Sequence, residues 1–112
     1  MARRIVLIVE EEQPDGLSAR KLILESLQHH VIIAYSAKEA LHMLDRMKVD
    51  VVLVHTALHD DSCEELVGEI KGRYPSTNVV ALSPGGSELC GPVATLDSLR
   101  PEQLVRYFSA DR

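Results

Sequence analysis

Apolar residues along this chain follow two alternating rhythms: short unbroken runs, and longer stretches in which they recur every three or four positions. The first run, Ile5–Val9, is rich in β-branched residues and predicts a strand covered on both faces. Val51–His55 has the same character, and runs at 31–35, 78–82 and, more weakly, 93–96 predict three further strands. Between the runs the spacing is helical. Pro14-Asp15-Gly16 breaks the chain, after which Leu17, Ile23, Leu24 and Leu27 share one face of a helix over 17–28. Ser36-Ala37-Lys38-Glu39 is a capping box, in which serine and glutamate satisfy free amides at a helix start. Ala37, Ala40, Leu41, Leu44 and Met47 then form that helix's inner stripe. Cys63, Leu66, Val67, Ile70 and Tyr74 mark a third helix, capped by Asp61 or Ser62. It stops at Pro75, because proline disfavours a helical residue before it. Pro101 suits the first turn of a last helix, whose inner face is Leu104, Val105 and Phe108.

Strict alternation of strand and helix predicts one α/β domain over 1–112, a parallel sheet with helices on both sides and right-handed crossovers. The expected arrangement is the flavodoxin-like three-layer sandwich with strand order 2-1-3-4-5. In such sheets the functional crevice lies beyond the carboxyl ends of the strands, at the switch point between strands 1 and 3. The residues placed there are Glu10, Glu11 and Glu12, then His55 and Thr56, with Ser83 after strand 4 and Asp97 after strand 5.

Charge and composition narrow the function. A net charge of −5 argues against a general binder of nucleic acid or anionic membrane. The apolar segments are too short to span a bilayer, and Ile5–Val9 is too short for a signal-peptide core. Cys63 and Cys90 lack CxxC spacing, so with no export signal they are expected as a reduced, cytoplasmic pair. Cys63 falls on a helix's core stripe, and Cys90 lies in a glycine-proline loop where it is expected to be exposed. His29-His30 and His59-Asp60-Asp61 read as solvated turns, since neither has closed metal-ligand spacing. Ser83-Pro84-Gly85-Gly86 matches neither a P-loop nor GxGxxG.

Taken together, these segments resemble the receiver domain of bacterial response regulators over nearly the whole chain. Val6-Leu7-Ile8-Val9-Glu10-Glu11 is similar to the strand that delivers two acidic residues to a magnesium ion. Val49-Asp50-Val51-Val52-Leu53-Val54-His55 matches the strand ending in the phosphoacceptor aspartate, and puts His55 there. Asn78-Val79-Val80-Ala81-Leu82-Ser83 matches the strand ending in a serine or threonine switch residue, here Ser83. Anchored at Pro101-Glu102-Gln103-Leu104, the resemblance sets Asp97 where the family has lysine and Ala94 at the aromatic switch position.

The departures change what the resemblance implies. Phosphoryl transfer to such a domain needs a carboxylate nucleophile, a divalent cation and a cation to absorb charge. Here the first is histidine and the last is aspartate. Fourteen positions separate Ser83 from Asp97, about two helical turns fewer than in the receivers resembled. Three glycines and two prolines fill 83–92, so the helix between strands 4 and 5 is expected to be missing or reduced to about one turn.

The expected function is that of an atypical receiver, a pseudo-receiver, acting in bacterial signal transduction by phosphorylation-independent protein contact. No catalysis and no cofactor are expected, although Glu10 and Glu11 leave magnesium binding open. The implied partners are signalling proteins such as an effector domain or a sensor kinase, with a homodimer as a further option. The alternative is a ligand-, metal- or pH-sensing pocket around His55. Glu10, Glu11 and His55 suit zinc or manganese, but a leftover acidic pocket explains them more simply. A His55–Asp97 contact could replace the acceptor–lysine pair, with the neighbouring carboxylates favouring a protonated imidazole, but the preferred reading is that His55 points to solvent or caps a backbone group.

Overall fold

The computed structural model describes residues 3–12, 16, 18–58, 62–86 and 88–109. Five strands, β1 (Ile5–Val9), β2 (His30–Ala34), β3 (Val51–His55), β4 (Asn78–Ser83) and β5 (Ala94–Asp97), form one parallel sheet in the order 2-1-3-4-5. Helices α1 (Ala19–Ser26), α2 (Ala37–Leu44), α3 (Cys63–Arg73) and α4 (Pro101–Ser109) cover it. The flavodoxin-like sandwich anticipated from the alternation is therefore the observed fold.

Alternate residues of the central strands feed two separate cores, as the pleat requires. Leu7, Val9, Val52 and Val54 pack with α2 and α3, alongside Ala40, Leu66 and Ile70. Val6, Ile8, Val51 and Leu53 face the other way, onto Leu24 of α1 and Leu104 and Phe108 of α4. Each large side chain so enclosed contributes roughly 1.5–3 kcal/mol through removal from water. Serine side chains cap three helices: Ser18 accepts from the Lys21 amide, Ser36 from Glu39 and Ser62 from Glu65. The Asp50 carboxylate accepts from the Ile5 amide at 2.8 Å and so ties the start of β1 to the start of β3.

Among the described residues between β4 and β5 the only helical piece is a 3-10 turn, Pro84–Gly86, as the glycine and proline content suggests. Gly85 and Gly86 both take positive φ, 73° and 70°, a backbone state open to glycine and closed to a continuing α-helix.

Several expectations are corrected. Helix α2 ends at Leu44, which leaves Met47 exposed, and Val105 faces outward on α4. His29 is not in a solvated turn but buried: its Nδ1 accepts from the Arg4 amide at 3.1 Å and its ring lies 5.2 Å from Phe108. Cys63 and Cys90 are not reduced thiols but a disulfide, with Cα atoms 5.3 Å apart, and Cys90 is fully enclosed. The spacing of 27 residues gave no hint, because the fold, not the sequence, brings the start of α3 beside the β4–β5 connection. His59-Asp60-Asp61, Pro14-Asp15 and Leu17 lie outside the described residues.

Candidate functional site

The strand ends carry the polar residues, as expected for a parallel sheet. Glu10 follows β1 directly, and its amide prolongs the ladder by donating to the Ala34 carbonyl at 3.1 Å. That places a carboxylate in the interior, only 2% exposed. A buried carboxylate requires a cation or several donors. Arg20, in the first turn of α1, supplies the cation: Nε and Nη2 both meet Glu10 Oε1, at 3.0 and 2.9 Å. Arg20 was missed in the sequence. The signal available was Glu10 itself, an acidic residue after a buried strand with no lysine at the far side of the pocket to balance it.

His55 ends β3 half-buried, opposite Leu82 in the register. Its Nδ1 accepts from the Ala57 amide at 3.2 Å, a bond that only a ring unprotonated at Nδ1 can make. Burial pushes the imidazole below its ordinary value of 6.5. The Arg20 charge pushes the same way, against Glu10, Glu11 and Glu88. Desolvation first, and then Arg20, outweigh the carboxylate neighbours that favour a protonated ring.

Ser83 is fully buried at the end of β4, where its hydroxyl accepts from the Glu88 amide at 3.0 Å. The Glu88 carboxylate in turn accepts from the Thr56 hydroxyl at 3.2 Å, joining the ends of β3 and β4. Asp97, paired with Ser83 in the register, is committed to backbone. Its Oδ1 accepts from the Gly85 and Leu99 amides at 2.8 and 2.9 Å, and Oδ2 faces Arg100 Nε at 3.4 Å. The Leu99 amide foremost, then Gly85 and Arg100, hold its carboxyl below the usual range, against the opposing effect of burial. His55 therefore caps a backbone group, as preferred from the sequence, and Asp97 is held by the Gly85 and Leu99 amides and by Arg100, so the two side chains bond other groups and not each other. Ala94 opens β5 exposed, with no ring to move.

The structure thus brings Glu10 and His55 into electrostatic reach of Arg20, joins Thr56, Glu88 and Ser83 in one chain of hydrogen bonds, and sets Asp97 apart on Gly85, Leu99 and Arg100. Among the described residues, no three His, Cys, Asp or Glu side chains gather in a metal-holding group. Beside the site, a cleft of about 170 Å³ opens between α1 and α4, with Ile23, Leu82, Leu96 and Leu104 as walls and Arg20, Asp97 and Arg100 at its edge. No described helix is long and apolar enough to cross a membrane.

No protein-family model and no curated protein matches the chain. Solved structures do. The signal receiver domain of an HD domain-containing protein from Pseudomonas fluorescens Pf-5 is 23% identical, with a TM-score of 0.83 over 97% of this chain and 94% of that one. The chemotaxis response regulator CheY4 of Vibrio cholerae is 19% identical, with a TM-score of 0.80 over 97% and 98%. A response regulator from Thermotoga maritima is 25% identical, with a TM-score of 0.77 over 97% of each chain. What this chain shares with them is the receiver-type flavodoxin-like fold.

Proposed function

We propose that this chain is a receiver-fold signalling domain that works through contact with protein partners and does not accept a phosphoryl group. The observation that carries the reading is the Arg20–Glu10 pair. Transfer of a phosphoryl group to a strand-end side chain requires a divalent cation on the transferred oxygens, and Glu10 would be one of its ligands. That carboxylate is instead neutralised by a tethered guanidinium. His55 offers no carboxylate nucleophile, and Asp97 offers no cation. The residues Glu10, Glu11, His55, Ser83 and Asp97 form, on this reading, a phosphorylation pocket that has lost its chemistry and kept its scaffold.

The test is an NMR titration of the chain with magnesium and beryllofluoride, a phosphoryl mimic. Amide signals around His55, Ser83 and Asp97 are expected to stay in place. Saturable shifts clustered on those three would overturn the reading.

A second reading is favoured by one observation, the apolar cleft between α1 and α4 with two guanidinium groups at its edge. A small apolar ligand with an anionic end would suit it. Saturable shifts at Ile23, Leu96 and Leu104 with such compounds would support ligand sensing, and their absence across a fragment set would remove it.

A further inference from the structure

The connection from β4 to β5 is fastened to the strand ends by three hydrogen bonds: Gly85 to Asp97, Glu88 to Ser83 and Thr56 to Glu88. Two residues beyond Glu88 it is fastened covalently, through Cys90, to Cys63 at the start of α3. The next residue, Gly91, turns with φ 93°, and a Cβ there would sit 3.6 Å from the Glu64 side chain, so the chain is drawn close over the helix start. Leu89, 71% exposed, is held on this fastened loop between Glu88 and Cys90.

We propose that the Cys63–Cys90 disulfide is a reversible redox-modification site whose state is transmitted to the strand-end residues and to the exposed Leu89. The bond ties a loop to a helix, not one core layer to another. Cys63 and Cys90 both belong to the core cluster under α2 and α3 and neither belongs to the cluster on the opposite face, so cutting the bond loosens the loop over one core and leaves the strand pairing of the sheet. Once freed, a segment with left-handed glycines at 85, 86 and 91 has many conformations to enter. What then holds Glu88 is its amide bond to Ser83 and an exposed bond to Thr56. These two bonds are the link to the pocket.

The chemistry is thiol–disulfide exchange with a dithiol reductant. Its thiolate attacks the Cys63 sulfur, which belongs to the less enclosed half at 9% exposure. The Cys63–Cys90 bond breaks, Cys90 leaves as a thiolate and takes up a proton. The reductant's second thiolate displaces Cys63, which is protonated in turn, and the reductant departs as its own disulfide. Two electrons and two protons reach the protein, and a disulfide oxidant reverses the step. With two cysteines in the chain, no alternative intramolecular pairing competes. The proposal stands whether or not the pocket accepts a phosphoryl group, and its test uses no phosphoryl mimic.

The 112-residue chain, labelled with nitrogen-15, is compared after equilibration with oxidised glutathione and after dithiothreitol, with mass spectrometry counting the two hydrogens gained. Reduction is expected to shift the amides of Thr56, Ser83, Gly85, Glu88 and Asp97, to leave β1 and β2 in place, and to be undone by reoxidation. Exchange of the Glu88 amide with solvent should quicken about tenfold or more as the loop opens. Cys90→Ser kept in oxidant should reproduce the reduced pattern. Three results would each overturn the proposal. The named amides stay put on reduction; the spectrum collapses throughout, which makes the bond a staple of the whole fold; or both thiols remain free in oxidant.

Discussion

The two halves of the strand-end surface solve the same problem by different means. At the end of β1, a charge is buried and answered by another side chain, Glu10 by Arg20. At the ends of β4 and β5, the polar side chains are answered by backbone amides, and a covalent bond holds the loop that supplies two of them. A side-chain pair in the interior stands or falls with each partner, because an orphaned buried charge costs more than the pair contributes. A loop held by several amides and a disulfide tolerates loss of any one hydrogen bond and responds instead to cleavage of the covalent tie. The first half should therefore be sensitive to substitution, and the second to redox conditions.

The largest expected effect is global and belongs to the second half. Closing a loop across 27 residues removes unfolded-state freedom worth about 3.5 kcal/mol. Guanidinium unfolding with and without dithiothreitol should show a loss of that size, with the reduced chain still folded in water, since domains of this kind begin with about 5–15 kcal/mol. An unchanged midpoint would mean that the bond does not constrain the chain, and the contrast between the two halves would lose its covalent side.

Next in size is the first half. Arg20→Met removes the cation and leaves Glu10 buried at 2% exposure. The expected loss is roughly 3 kcal/mol, at the low end for a broken buried pair because Arg20 itself is partly exposed. The double variant Arg20→Met with Glu10→Gln should recover much of it, since no charge then remains inside. If the single variant unfolds at the wild-type midpoint, Glu10 is solvated in solution and the pair carries no weight. If the double variant is as weak as the single one, the loss comes from packing of the Arg20 stem and not from charge.

What could be read in the sequence followed the same division. Periodicity placed β1 and β3 to the residue and the other strands within a residue at either end, because two-sided burial writes itself as unbroken apolar runs. The short β4–β5 connection was legible because Pro84-Gly85-Gly86 cannot continue a helix. The contacts that define the site were not. Arg20 meets Glu10 because α1 packs beside the end of β1, and Cys63 meets Cys90 because the β4–β5 connection passes the start of α3. His29 looked like one half of a polar turn, yet its neighbour His30 is exposed while His29 packs on Phe108. Local pattern encodes elements, whereas these pairs depend on how elements lie in space.

The smallest expected effect joins the two faces of the sheet through their histidines. His29 and His55 both have pKa values lowered from 6.5, His29 by burial and then Arg4, His55 by burial and then Arg20. In each case the unfolded chain takes up the proton before the folded one does. Stability from this source is complete above pH 6.5 and declines as pH falls below it towards the folded-state values. Unfolding midpoints should therefore be lower at pH 5.5 than at pH 7.5. His55→Gln is expected to reduce that difference, and His29→Gln to reduce it separately, since the two rings sit in different environments and should act additively. At His29 the added proton competes with the Arg4 amide for Nδ1, while the buried Nε2 has no partner among the described residues to share the charge. For His55 the proton competes with the Ala57 amide for Nδ1. A midpoint that is flat from pH 7.5 to 5.5 in the wild-type chain would show both rings free to titrate in the folded state, and would return His55 to an open, solvated pocket.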